Sequence, residues 1–215
     1  EIDMTGAKKL AGEWSQAEAS DRGIKIVGDI VSEWVKKTHE VFNKPEKTIV
    51  FSAGVEHGRA LAEEFARAGY NFQSISYKED DDFKRDTIEE FAKPNSSIVG
   101  LIATDILTRG FDVTDVYIGV SARPFSKSFS SHVQQLGRVM RPHEGKEYGL
   151  WLDHSGNYLR FRNEWDKLFQ VGVKELNETV ETTKREPTER VKKQSYCPSC
   201  GGLWTSKTLM CDECG

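Results

Sequence analysis

Ser131-His-Val-Gln-Gln-Leu-Gly-Arg-Val-Met-Arg-Pro142 sets Gln134, Arg138 and Arg141 at positions i, i+4 and i+7. At about 3.6 residues per helical turn the three share one face, and Gly137 beside them lets a backbone or a phosphate come close. Two permanently charged guanidinium forks a turn apart suit a polyphosphate. They also suit a plain solvated face, so the meaning of the pair depends on its surroundings.

Upstream runs Ile98-Val-Gly-Leu-Ile-Ala-Thr-Asp-Ile-Leu-Thr-Arg-Gly-Phe-Asp-Val113, an apolar strand followed by a polar turn that reaches Arg109-Gly110 and Asp112. Further upstream, Lys47-Thr-Ile-Val-Phe-Ser-Ala-Gly54 is a β-branched strand that also ends in a polar turn. Taken in chain order, from Lys47 to Pro142, the three stretches resemble motifs IV, V and VI of superfamily 2 helicases.

The hydropathy pattern sets strands over residues 48–51, 72–77, 98–103, 116–120 and 148–152, between helices over 24–41, 55–68, 81–91, 129–139 and 159–169. Strands that mostly alternate with helices predict an α/β fold, a parallel sheet with helices on both faces. Ligands in such folds gather beyond the carboxyl ends of the strands, where Ser52 and Thr104 fall. The helicase resemblance implies that this sheet is RecA-like. Four segments are expected: a connector over 1–23 in which residues 1–20 are extended, a C-terminal RecA-like domain over 24–170, a charged linker or helix over 171–195, and a small module over 196–215.

That last module holds all four cysteines, as Cys197-Pro-Ser-Cys200-Gly and Cys211-Asp-Glu-Cys214-Gly, with ten residues between the pairs. Two Cys-x-x-Cys-Gly knuckles aim four thiolates at one point, the arrangement of a structural Zn²⁺ ribbon. Disulfides fit less well, since the sequence starts without a secretory pattern. Iron in a rubredoxin-like site would use the same ligands. The segment is too short to bury a core, so a metal would supply its folding free energy.

Composition sets the remaining bounds. With 215 residues, 37% hydrophobic and 30% charged, the chain has the make-up of a globular protein. No apolar run nears the ~18 residues of a membrane span, and a cytoplasmic setting with no membrane partner is expected. The net charge of −4 does not announce a nucleic-acid partner. Locally, however, Arg123, Lys127, Arg138, Arg141 and Lys146 face only Glu144, and this predicts a basic face able to attract phosphates over about 8 Å.

The resemblance implies roles for particular residues. Arg138 and Arg141 would be catalytic, reaching across a cleft to a triphosphate, with Gln134 near the γ-phosphate. Asp112, Gly110 and Gly137 would border the nucleotide, Asp112 close to the ribose or to the arginines. Thr104 and the backbone around Arg109 would meet a nucleic-acid strand, with Ser52 a weaker contact. His57, at a helix start, is expected to be a surface histidine; His132 and His143 carry no assigned role. Such an enzyme also needs a Gly-x-x-x-x-Gly-Lys-Ser/Thr loop and an Asp-Glu box for Mg²⁺; the loop does not occur here, and the one Asp-Glu pair lies inside the Cys211–Cys214 knuckle rather than after an apolar run. The expectation is therefore the C-terminal half of a larger ATPase, inactive alone, whose N-terminal RecA-like lobe holds most of the ATP and Mg²⁺. Gln134 in the Gln-x-x-Gly-Arg-x-x-Arg pattern resembles the DNA-directed branches. An RNA helicase, or a nucleic-acid-binding module that has lost catalysis, are the alternatives.

Overall fold

Thr48–Ser52 is buried at all five positions, as a strand must be when neighbours flank both its edges and helices cover both its faces. The computed structural model in which this strand is central describes residues 1–105, 111, 113–172, 195–196 and 203–204. In chain order the elements are β1 (Lys9–Leu10), β2 (Glu13–Trp14), α1 (Gln16–Ile24), α2 (Val27–Phe42), β3 (Thr48–Ser52), α3 (Val55–Arg67), β4 (Phe72–Ile75) and α4 (Asp81–Ala92). There follow β5 (Gly100–Ala103), β6 (Ile118–Ala122), α5 (Phe129–Val139), β7 (Leu150–Asp153), α6 (Asn157–Arg160) and α7 (Arg162–Val171). The chain divides into two units, Glu1–Glu178 and Thr179–Gly215. In the second, the described residues form an antiparallel pair, β8 (Ser195–Tyr196) with β9 (Leu203–Trp204).

The main sheet has the order β4-β5-β3-β6-β7, and every pairing in it is parallel. This is the expected α/β architecture. Alternation along β3 separates the two faces. Val50 joins Ile30, Val31 and Trp34 of α2 and Leu61 and Phe65 of α3 in one cluster. Ile49 and Phe51 join Phe91 of α4 and Val139 of α5 in the other. α2 stops at Asn43, whose left-handed backbone (φ 59°) ends the hydrogen-bond ladder before Pro45. α4 starts at Asp80, whose carboxylate accepts the Phe83 N–H at 2.8 Å.

Three expectations need correction. Residues 1–20 are not an extended segment, because they carry the β1–β2 hairpin and most of α1. The buried face of α1 is Ala19, Ser20 and Gly23, so close packing replaces the large apolar residues that would have marked a helix. Gly23 is required by that closeness: a Cβ there would lie 2.5 Å from the His57 ring. The helix expected over 24–41 begins instead at Val27, since Ile24 closes α1 and Ile26 leaves the helical region at φ −118°, ψ 14°. The helix expected over 159–169 is two helices, broken at Phe161, which packs with Phe125 and Trp165.

Trp34 anchors the first face. Fully buried, it donates its indole N–H to Thr48 Oγ1 at 2.9 Å and meets Phe65, Tyr70 and Phe72 edge-on. Trp34→Ala should destabilise the fold by about 3–5 kcal/mol, read from urea unfolding midpoints. A loss below about 1 kcal/mol would mean that this core collapses around the cavity.

Candidate nucleotide and nucleic-acid site

Parallel pairing of β3 with β5 sets Phe51 opposite Ala103, so the next residues, Ser52 and Thr104, leave the sheet side by side. Their hydroxyls lie 2.5 Å apart, and Thr104 Oγ1 also donates to the Gly54 carbonyl at 3.4 Å. Both side chains are buried, at 1% and 0% exposure. The motif IV and motif V turns are thereby tied to each other. Here neither hydroxyl faces outward, so contact with a strand at this point would fall to neighbouring backbone groups.

Asp105 follows with a left-handed backbone, φ 57°, a conformation Asp tolerates better than most residues. Its carboxylate accepts from Gln16 at 2.6 Å and pairs with Arg123. Arg123, Gln16, Glu13, Trp14 and Ser128 border a cleft of roughly 160 Å³. It lies beyond the carboxyl ends of β3 and β6.

Motifs V and VI converge on one atom. The Phe111 carbonyl accepts from Arg138 at 3.1 Å and from Arg141 at 2.9 Å. Phe111 is itself buried and stacked on Phe91 of α4, which fixes where that carbonyl points. Arg138 lies in the last turn of α5, whereas Arg141 is past its end at Val139, so the shared helical face becomes a shared acceptor. Both arginines are half-buried; Gln134 and Gly137 are exposed. A Cβ on Gly137 would meet open space, so the domain's own packing does not require glycine there.

Both ends of α5 are held by charged side chains: Glu13, which sequence reasoning missed, and Lys146, which it read only as part of a basic face. Glu13, on β2, accepts the N–H groups of Ser126, Lys127 and Ser128 at 2.6, 2.8 and 2.7 Å. Lys146 donates to the carbonyls of Val116, Val139 and Arg141 at 2.6, 2.5 and 3.1 Å. Burial pushes the Lys146 ammonium below its ordinary pKa, with Asp115 opposing. The expected basic face is accordingly reduced: Lys146 is turned onto carbonyls and Arg123 is paired with Asp105. Local charge counts did not foresee this, because they contain no directions.

His57 is not the surface residue expected. It is fully buried against Gly23, its Nδ1 accepting the Ala53 N–H at 3.3 Å, and burial lowers its pKa to about 4. His132 is buried beside Trp151, Phe161 and Trp165. Burial, with Arg160 adding and Asp153 opposing, lowers it to about 4 also.

Arg109, Gly110 and Asp112 lie outside the described residues, as do Cys197, Cys200, Cys211 and Cys214. Among the described residues, no group of three or more His, Cys, Asp or Glu is placed to hold a metal ion. No helix among them is long and apolar enough to cross a membrane.

Residues 32–143, just over half of the chain, match the family described as helicase conserved C-terminal domain, and the chain belongs to that family. It is 26% identical over 220 residues to a 51.5 kDa protein of Lactococcus phage (isolate 7-9). That match covers 100% of this chain and 44% of the phage protein, so the chain spans less than half of that relative's length. Among solved structures, a fragment of a putative HsdR subunit of a type I restriction enzyme from Vibrio vulnificus YJ016 is similar, with TM-score 0.57 and 21% identity over 80% of this chain and 33% of that one. Domain 2 of the Mss116p DEAD-box helicase, bound to an RNA duplex, gives TM-score 0.53 and 19% identity over 70% of this chain and 57% of its own. At these identities the likeness supports the fold.

Of the three buried imidazoles, His57, His132 and His154, the first two are those whose pKa falls to about 4, and they make stability pH-dependent. Each is neutral in the fold down to about pH 4, while the unfolded chain takes up a proton near pH 6.5. Their contribution is complete above that value and is lost as pH falls from about 6.5 to about 4, on the order of 3 kcal/mol each at most. Urea midpoints should fall across that interval, and His132→Phe should flatten part of the slope. An unchanged slope in His132→Phe would place that imidazole in water.

Proposed function

We propose that this chain is the C-terminal half of an ATP-dependent DNA helicase or translocase. In this reading Arg138 and Arg141 act as arginine fingers at an ATPase site shared with an N-terminal RecA-like lobe. The observation that carries it is the meeting of both guanidinium groups at the Phe111 carbonyl. A carbonyl already shared by two cations is an acceptor that a more highly charged phosphate can replace. Gly137, exposed beside them with open space around it, leaves room for that approach. The donors present fit one side of a nucleotide's phosphates; the loop and the acidic box that would hold the other side, with Mg²⁺, belong to the partner lobe. When bound, ATP supplies the phosphoanhydride whose cleavage drives movement.

The chain's own residues then divide the work. Arg138 and Arg141 neutralise charge that develops on the transferring phosphoryl group. Gln134, a turn before Arg138, would orient near the γ-phosphate. Gly110 and Asp112 would border the nucleotide. Ser52 and Thr104 hold the motif IV and V turns together, so that nearby backbone and Arg109 can grip a strand by its phosphates without reading sequence. Gln134 at its position in motif VI favours DNA over RNA. Cys197, Cys200, Cys211 and Cys214 would bind one structural Zn²⁺, and metal analysis should find one equivalent.

The test is nucleic-acid-stimulated ATP hydrolysis by the two-lobed protein. Arg138→Ala should lower kcat by about 10³-fold or more while leaving strand affinity within a few-fold. Retained turnover would refute the finger assignment, and turnover by the isolated chain would refute the division between lobes. Gly137→Ala gives a finer check. It should raise stability by up to about 1 kcal/mol, since Ala suits a helix better, yet lower kcat/KM about tenfold by crowding the phosphates. Unchanged kcat/KM would mean that nothing approaches that face.

A further inference from the structure

The helix that carries Arg138 is held from outside at both ends. At its start, Glu13 sets one carboxylate on three successive backbone N–H groups, ending at Ser128, which immediately precedes α5. At its end, Lys146 sets one ammonium on the carbonyls of Val139, the last helical residue, and of Arg141 itself. Helix starts leave N–H groups without intrahelical partners, and helix ends leave carbonyls. The two charges also have the signs that the helix dipole favours at each end.

Each charged group is tied to another part of the fold. The third bond of Lys146 goes to Val116, just before β6, and its ammonium lies 5.7 Å from the Tyr117 ring centroid. Glu13 belongs to the small hairpin, beside Trp14, whose ring is covered by the Arg160 guanidinium at 4.3 Å. The helix start is thus referred to the N-terminal hairpin, and Arg141 to the sheet. An exposed ion pair would contribute little of this kind, whereas a charge seated on several half-buried backbone groups fixes direction as well as distance.

We infer that Glu13 and Lys146 form a charge clamp on α5 and are positioning residues for the Arg138–Arg141 pair. The inference rests on the proposed ATPase role for its consequence, though the clamp can be tested apart from it. Catalytic placement is sensitive: a displacement of about 1 Å can lower a rate by about 100-fold. Releasing either end should therefore let the guanidinium groups leave the Phe111 carbonyl, with the fold retained.

Two measurements on Lys146→Met and Glu13→Gln decide the matter. In the chain itself, the guanidinium Nε–Hε NMR signals of Arg138 and Arg141 should shift or broaden in both variants, and Lys146→Arg should restore most of the native spectrum. Signals unmoved in a folded variant would overturn the clamp whatever the protein does. In the two-lobed protein, kcat for ATP should fall about tenfold or more with KM changed by less than about threefold, and Lys146→Arg should recover turnover. A fall in Tm with kcat unchanged would reduce both residues to structural supports and also overturn the inference. Should Lys146→Met fail to fold, Glu13→Gln at the other end carries the same readouts. Moved arginine signals in a protein whose turnover ignores Arg138→Ala would instead sink the ATPase reading and leave the clamp standing.

Discussion

A strand buried on both faces and paired on both edges has no freedom of register, and β3 is such a strand. Its parallel pairing with β5 and β6 makes the three segments leave the sheet at the same end. Ser52 and Thr104 become neighbours there through a 2.5 Å contact rather than through sequence proximity. The chain that leaves β6 turns directly into the loop that Glu13 caps and then into α5. What separate motifs could not specify singly, the sheet specifies together.

The sequence revealed the parts of this arrangement that depend on periodic hydrophobicity. α5 runs over the expected residues, and the five strands of the main sheet fall where the apolar runs are. α1 was hidden because its buried face is made of Ala19, Ser20 and Gly23, which contribute closeness rather than hydropathy. His57 was misread for a related reason: nothing in the local pattern says that a glycine from another helix will lie flat on its ring. Chain breaks were no clearer. The stop at Phe161 is set by tertiary packing on Phe125 and Trp165, not by a Gly or Pro.

Of the residues proposed to act, motif order singled out Arg138 and Arg141, and spacing put them on one helical face. Half of that placement is wrong, since Arg141 lies beyond the helix and reaches Phe111 from an irregular turn. Glu13 and Lys146 carried no motif signal. They are separated from the backbone groups they hold at Ser128 and Val116 by 115 and 30 residues. Charge is used in the same economical way elsewhere. In a chain of net charge −4, Arg123 and Lys146 are committed to internal partners, and the local excess of cations is converted into geometry.

The central claim is that this geometry presents two guanidinium groups to a nucleotide held by another lobe. It is tested most directly by a structure of the two-lobed protein bound to a nonhydrolysable ATP analogue and a DNA strand. The account predicts Arg138 and Arg141 nitrogens about 3 Å from phosphate oxygens, with the Phe111 carbonyl released by at least one of them. Both groups still resting on that carbonyl, or turned to solvent above a fully closed nucleotide, would contradict it.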